Sequence, residues 1–99
     1  MQQVPPFIQA LEKLDPEFAK LVKAAREKVY EEGALDTKTK VLIMLALDAA
    51  LSHASGVANL ARRARALGAT DQEIIEVIRL AWLDAGLPGL IAGLAAFEE

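Results

Sequence analysis

One short polar stretch carries the side chains that are best suited to proton transfer. Residues 51–59 read LSHASGVAN and include the only histidine of the chain, His53, with Ser52, Ser55 and Asn59 nearby. Imidazole side chains titrate near neutral pH and act as acids, bases or metal ligands. Three roles stay open for His53: a residue of a helix–helix turn in which Ser52 or Ser55 caps the next helix, a general acid/base, or a metal ligand at an oligomer axis.

Helical spacing does not provide this histidine with an acidic partner. Asp48 lies five residues before His53, whereas a spacing of four would bring a carboxylate behind the ring on one helix face. A Ser-His-Asp triad therefore has no local support, although triads are defined by geometry rather than by sequence order. A pair of catalytic carboxylates, Asp48 with Asp84, has no spacing argument either. The sequence contains no Gly-rich phosphate loop, HExxH motif or EF-hand pattern.

Three arginines follow on one predicted helix. Arg62, Arg63 and Arg65 could receive an anionic substrate, because guanidinium groups bind carboxylates through paired hydrogen bonds. The alternative is a solvated face, or ion pairs between subunits. Further along the chain, Trp82 favours packing in the core or at an interface over lining a pocket. Asp84 lies in an apolar helix, where a buried carboxylate would require a partner such as an arginine of this or a neighbouring chain.

The composition excludes several classes of chemistry. The chain has no cysteine, which excludes disulfides, thiolate nucleophiles, Cys-x-x-Cys redox chemistry and cysteine metal sites. A formal net charge of −3 argues against nucleic acid as a partner, because nucleic-acid binding needs a basic face. No positively charged start precedes an apolar segment, so we expect no signal peptide and a cytoplasmic location. We expect no cofactor and no bound metal.

The hydropathy is high for a chain of this length. Hydrophobic residues make up 54% of the 99 residues, and the mean hydropathy is +0.26. A domain of this size has too little interior volume to bury all of these hydrophobic side chains. The most apolar late run, residues 80–97, contains an aspartate, a proline and three glycines, which does not suit a membrane-spanning helix. We therefore expect burial against further copies of the chain and no membrane partner.

Start and stop signals divide the chain into about five or six helices. Asp15, Asp36 and Thr70 are predicted N-caps, and Gly33 and Gly68 are predicted to end helices. Prolines occur at several predicted first turns. The predicted helical segments are residues 4–14, 18–32 after a start at 15–17, 38–51 after a start at 36–38, 57–67, 73–85 after the capping box at 70–73, and 89–97.

The third predicted helix has no polar face over much of its length. From Val41 to Leu47 every residue is apolar. A helix that is apolar all round is buried all round, so this one is predicted at the centre of the fold or at a subunit contact. No segment alternates apolar and polar residues, so we expect no sheet. The prediction is an all-α, oligomeric helical bundle with residues 1–99 as a single domain.

The sequence resembles the carboxymuconolactone decarboxylase family, which includes the alkyl hydroperoxidase D-like proteins. The matching pieces are LDTKTK before an apolar helix, an ALGAT turn, DQEIIEVI and a GLP near the end. The resemblance covers about residues 15–99. It implies an all-helical subunit that assembles into trimers or hexamers.

The redox chemistry of the family cannot be assigned to this chain, although the sequence resembles the family. Redox members have a glutamate, a Cys-x-x-Cys pair and a histidine at positions that are occupied here by Val41, His53, Gly56 and Leu60. Neither sulfur of the thiol pair exists in this chain, so thiol peroxidase and disulfide reductase activities are excluded.

Two functions stay open. The first is a non-redox oligomeric helical protein with a binding or structural role. The second is a cofactor-free enzyme that acts on a small organic acid or lactone. In that case His53 is the general acid/base, and Arg62 or Arg63 holds the carboxylate of the ligand.

Overall fold

The computed structural model describes residues 5–98, and the regular secondary structure there is entirely helical. This confirms the all-α prediction with its five or six helices, whereas the single domain over 1–99 stays a prediction. Val4 and Glu99, at the ends of predicted segments, lie outside the described residues. The elements are α1 (Pro6–Leu14), α2 (Pro16–Tyr30), α3 (Thr37–Ala50), α4 (Ala54–Ala66), α5 (Asp71–Ala85), α6 (Leu87–Gly93) and a 3-10 turn, Leu94–Phe97.

Local capping sets the starts of α2, α3 and α5 as predicted. The carboxylates of Asp15 and Asp36 each accept a backbone N–H bond from three residues ahead, at 3.1 and 2.8 Å. Thr70 and Glu73 form a reciprocal capping box with bonds of 3.1 and 2.8 Å. Each such cap stabilises its helix by about 1 kcal/mol, which explains why these helix starts are predictable.

The carboxyl end of α2 differs from the prediction. The helix ends at Tyr30 rather than at Gly33, because Glu31 already has an extended backbone with a ψ of 154°. Two consecutive glutamates at a helix C-terminus oppose the helix dipole, which disfavours the extra turn. Gly33 lies in the connection, where its N–H donates to the carbonyl of Leu35 at 3.1 Å. By contrast, Gly68 follows α4 with a φ of +97°, as predicted for a helix stop.

The chain divides into two compact units between residues 31 and 32. In the first unit α1 packs against α2, and Ile8 is buried. The guanidinium of Arg26 lies 5.5 Å from the ring centroid of Phe7 and 5.7 Å from that of Tyr30. This stacking of one cation with two rings adds to the hydrophobic contact between α1 and α2.

The second unit is built around α3, which packs against α4, α5 and α6. Its inner face consists of Val41, Leu45 and Ala49, which repeat at every fourth residue and are fully buried. These residues form the centre of this unit.

The prediction that α3 is buried on all sides is wrong within a single chain. Ile43, Met44 and Leu47 are exposed, and Leu47 retains 50% of its accessible surface. The reason is that α4, α5 and α6 cover only part of α3, and the described part of the second unit packs no helix over Ile43, Met44 and Leu47. A subunit contact on that side stays a prediction. In residues 5–98, no helix combines the length and apolarity needed to cross a membrane.

Two glycines allow α6 to lie very close to α5. A Cβ at Gly93 would lie 2.8 Å from Cγ2 of Ile78, and one at Gly89 would lie 2.9 Å from the carbonyl oxygen of Ala81. Both distances are shorter than van der Waals contact, so side chains larger than glycine would force the helices apart. Leu87 and Ile91 remain exposed on α6.

Candidate functional site

The turn that carries His53 is shorter than the predicted break at 52–56. Helix α3 ends at Ala50 and α4 begins at Ala54, so Ser55 and Gly56 belong to the first turn of α4. His53 occupies the N-cap position of α4, and no side chain caps that helix end. The predicted capping by Ser52 or Ser55 is therefore wrong.

The backbone of this turn brings His53 back towards the end of α3. The N–H of Ser52 donates to the carbonyl of Ala49 at 3.0 Å, and the N–H of His53 donates to that of Asp48 at 2.8 Å. These two bonds define a Schellman motif. Its left-handed position is filled by Ser52, with a φ of +62°, although glycine is the usual residue there.

This turn places the side chain of His53 against that of Asp48. The Nδ1 atom of His53 lies 3.5 Å from Oδ1 of Asp48. The carboxylate is the more sheltered of the two, since the Asp48 side chain is 23% exposed and the His53 side chain 61%. The pair is thus an imidazole that faces solvent, with a carboxylate behind it.

Gly56 provides the space for this carboxylate. A Cβ at Gly56 would overlap with Oδ2 of Asp48 and would lie 2.9 Å from its Cγ. Any residue larger than glycine would therefore displace the Asp48 side chain. The structure brings Asp48, His53 and Gly56 together as one site at the junction of α3 and α4.

The predicted carboxylate-binding arginines lie further along α4. Arg62 contacts the side-chain oxygen of Asn59 on the same helix, and Arg63 is half-buried. At a rise of 1.5 Å per residue, Arg62 lies about 13 Å along the helix axis from His53. The predicted acid/base residue and the predicted anion-binding residues are therefore not side by side in one chain.

Arg65, the third arginine, has a structural role. Its Nε donates to Oδ1 of Asp71 at 3.0 Å, and its Nη1 donates to the carbonyl of Ala96 at 2.9 Å. Its guanidinium also lies 5.0 Å from the ring centroid of Phe97. Arg65 thus joins α4 to the start of α5 and to the final 3-10 turn.

The remaining sequence-predicted positions divide into core and surface. Val41 and Leu60, at two of the family-motif positions, are buried apolar residues that fill the interior. Asp84 is exposed in the single chain, so pairing of a buried Asp84 carboxylate with an arginine of a neighbouring chain stays a prediction. Trp82 is 49% exposed, so packing in the core of the chain is wrong, whereas packing at an interface stays a prediction.

A second ion pair links the starts of two helices. The Nζ atom of Lys38 donates to Oε2 of Glu73 at 3.1 Å, which ties the first turn of α3 to that of α5. The backbone N–H of Thr70 and then the Lys38 ammonium hold the pKa of Glu73 below its ordinary value. Hydrogen bonds from Thr39 similarly lower the pKa of Asp36. Glu73 and Asp36 both stabilise helix starts in their ionised form. Because the pKa of each is lowered, neither is suited to transfer protons near neutral pH.

Sequence reasoning missed Asp48 as the partner of His53. The spacing of five is unfavourable on a continuous helix but is the spacing that a Schellman turn brings together. A glycine after α3 would have signalled such a turn, but the position is occupied by Ser52. Within the described range, no three histidine, aspartate or glutamate side chains are arranged to hold a metal ion.

Comparison with known families and proteins gives consistent results. The profile of the carboxymuconolactone decarboxylase family matches residues 16–99. An uncharacterized protein from Methanocaldococcus jannaschii is 30% identical over 92 residues, which cover 93% of this chain and 86% of that protein.

Two crystal structures have the same fold as this chain. One is the apo form of a carboxymuconolactone decarboxylase family protein from Legionella pneumophila, with a TM-score of 0.84 and 28% identity over 92% of this chain and 81% of that one. The other is a protein from Burkholderia xenovorans LB400 assigned as a carboxymuconolactone decarboxylase. It has a TM-score of 0.83 and 28% identity over 96% of this chain and 78% of that one.

Proposed function

The chain belongs to the carboxymuconolactone decarboxylase family, and we propose that it is a non-redox, self-assembling member with a binding or structural role. It contains no cysteine, so the thiol steps of the redox members cannot occur in it. The observation that carries the self-assembly is the apolar surface that the second unit leaves exposed.

We use the term apolar surface for the exposed large hydrophobic side chains of three helices that pack on one another. Helix α3, helix α5 and residues 87–94 each supply three large hydrophobic side chains, with exposures between 37% and 74%. They are Ile43, Met44, Leu47, Leu80, Trp82, Leu83, Leu87, Ile91 and Leu94. Scattered exposed hydrophobic residues are ordinary in monomers, whereas nine on three adjoining helices favour an interface.

The energetics support burial of the apolar surface. Full burial of one such side chain stabilises by roughly 1.5–3 kcal/mol, so half-exposed ones would each gain on the order of 1 kcal/mol. Nine on each of two copies would gain on the order of 20 kcal/mol as an upper limit, against roughly 4–15 kcal/mol for the loss of translational and rotational freedom. The balance favours association.

A second copy of this chain is the partner that fits this surface. Residues 41–47 and 87–97 contain no charged residue, so the parts of the surface that they supply can face their own copies without charge repulsion. Self-complementary contacts of this kind are the usual way in which homo-oligomers form. The family resemblance favours a trimer or hexamer. A small carboxylate is the ligand class that we expect such an assembly to bind.

Sedimentation velocity of charge variants tests this proposal. We expect Leu47→Glu and Leu83→Glu to dissociate the assembly to 10.7 kDa chains with unchanged helical circular dichroism. The matched control is Ala66→Glu, which adds the same charge at an exposed position of α4. Equal sedimentation of all three variants and the original chain would overturn the proposal, as would full dissociation by the control.

The second candidate function is a cofactor-free enzyme acting on a small organic acid or lactone. The observation that favours it is the Asp48 carboxylate 3.5 Å from Nδ1 of His53, whereas the 61% exposure of the imidazole side chain counts against it. General acid–base catalysis contributes about 10²–10⁴-fold to a rate. His53→Ala should therefore lower the turnover of a lactone panel at least tenfold and leave assembly intact. An unchanged rate would contradict this candidate.

A further inference from the structure

We propose that Asp48 is the positioning residue for His53. Its carboxylate turns the Nδ1–H of the imidazole towards the protein and leaves Nε2 in solvent as the proton acceptor. The proposal deepens the acid/base candidate described above and rests on it for its catalytic meaning. The orientation itself can be tested without any substrate.

The backbone holds the two residues together before their side chains interact. The N–H of His53 donates to the carbonyl of Asp48 at 2.8 Å, so the positions of the two Cα atoms are fixed by the Schellman turn. This turn includes Ser52 in a left-handed conformation that residues other than glycine adopt only at an energetic cost. A strained residue beside a proton-transfer group is a common feature of functional sites.

The side-chain geometry matches a carboxylate that orients an imidazole. The distance of 3.5 Å between Nδ1 of His53 and Oδ1 of Asp48 is that of an ion pair and exceeds the roughly 2.7–3.2 Å of an N–H···O hydrogen bond. Such bonds are frequently long in unliganded sites and shorten when a ligand excludes water. The tautomer of a histidine is set by the bond that its other nitrogen makes, so an acceptor beside Nδ1 selects the Nδ1–H form.

The surroundings of Asp48 are an independent observation. The carboxylate lies where Gly56 has no side chain, and even one methyl group at residue 56 would displace it. Asp48 is also the more sheltered partner, which leaves Nε2 as the group that solvent or a ligand can reach. Gly56 and Asp48 thus act together on His53.

Proton transfer by this pair requires no further reactant. Nε2 takes a proton from a substrate carbon or a bound water molecule, and the imidazolium that forms is stabilised by the Asp48 carboxylate. Asp48 stays ionised throughout. The same Nε2–H then returns the proton to the product, which restores the starting state.

Nitrogen NMR of the imidazole in the intact protein tests the orientation. The chain has one histidine, so the ring signals are unambiguous. At a pH where the ring is neutral, we expect the Nδ1–H tautomer to predominate. Asp48→Asn, which preserves size, and Asp48→Ala should both shift the equilibrium towards the Nε2–H form, because an amide can donate to Nδ1 and a methyl group provides no acceptor.

Gly56→Ala provides a test that leaves both members of the pair in place. The added methyl group should displace the carboxylate and produce the same spectral change as Asp48→Ala. The matched controls are Asp84→Ala, an exposed aspartate on α5, and Gly33→Ala, where the nearest atom to a new Cβ is 4.0 Å away. Both controls should leave the ring signals unchanged.

The outcomes separate the positioning role from the catalytic one. An Nε2–H tautomer in the original chain, or ring signals that do not respond to Asp48→Ala in a folded protein, would overturn the positioning role of Asp48. A shifted tautomer with no effect of His53→Ala on turnover would confirm the orientation and contradict the acid/base function.

Discussion

The Nη1 atom of Arg65 donates to the backbone carbonyl of Ala96 at 2.9 Å. The same side chain donates to Asp71, so one guanidinium holds three segments of the second unit together. Ala96 is almost fully buried, so its carbonyl has little access to water as an alternative donor. The loss of Arg65 would remove the charged donor from this part-buried carbonyl.

We therefore expect Arg65→Ala to lower the free energy of unfolding by about 1–2 kcal/mol, because a hydrogen bond from a charged donor is lost in a partly solvated site. Urea denaturation measures this change. Arg62→Ala is the matched control on the same helix and should change stability by less than about 0.5 kcal/mol. Equal losses in the two variants would contradict the role assigned to Arg65.

The close approach of α5 and α6 makes Gly93 sensitive to a single methyl group. In Gly93→Ala the new Cβ would meet Cγ2 of Ile78 at 2.8 Å, and overpacking of this kind costs roughly 1–3 kcal/mol. The higher helix propensity of alanine offsets up to about 1 kcal/mol of that cost. Thermal unfolding should show a net loss, whereas Gly33→Ala should leave the midpoint nearly unchanged. A Gly93→Ala protein as stable as the original would show that α6 can move away from α5.

Ser52 is the non-glycine residue with a left-handed backbone in residues 5–98. Ser52→Gly should raise the free energy of unfolding by up to about 1 kcal/mol. Glycine adopts the left-handed conformation without strain, and this gain exceeds the entropic cost of a more flexible unfolded chain. Ser52→Val should be destabilising, because a β-branched residue tolerates this backbone poorly. The urea midpoint at unchanged slope is the appropriate measurement. Ser55→Gly, which places glycine in a regular helical turn, should lower stability instead.

The hydrogen bonds that Glu73 accepts, first from the backbone N–H of Thr70 and then from Lys38, make stability depend on pH through the lowered pKa of Glu73. The pKa of Glu73 is lower in the folded chain than in the unfolded one, so the folded state favours the ionised carboxylate. This contribution is fully present above the ordinary glutamate pKa and is lost as the pH falls through the lowered folded value. Glu73→Gln should therefore be less stable than the original chain at neutral pH, and the two should converge in acid. A difference that persists at low pH would show that the charge of Glu73 is not its cause.

Helix starts were predictable here because their signals are local. Asp15, Asp36 and the Thr70–Glu73 box each satisfy backbone N–H groups within three residues, so no distant part of the chain can alter the prediction. The stop at Gly33 failed because two glutamates before it oppose the helix dipole.

The site was less predictable from the sequence because it depends on a turn whose residues do not carry the usual glycine signal. The return of His53 to Asp48 needs a left-handed residue at position 52, and serine gives no sign of that conformation. The vacant space at Gly56 is visible only when α3 and α4 are placed together. Similarly, the apolar run 41–47 predicts burial but cannot say whether the covering surface belongs to the same chain.

The molar mass of the original chain in solution tests the central claim most directly. Light scattering across a range of concentrations should give a multiple of 10.7 kDa, with three or six copies favoured by the family resemblance. The apolar surface formed by α3, α5 and α6 would then be covered within that assembly. A folded, helical chain with a mass of 10.7 kDa at every concentration would contradict the account.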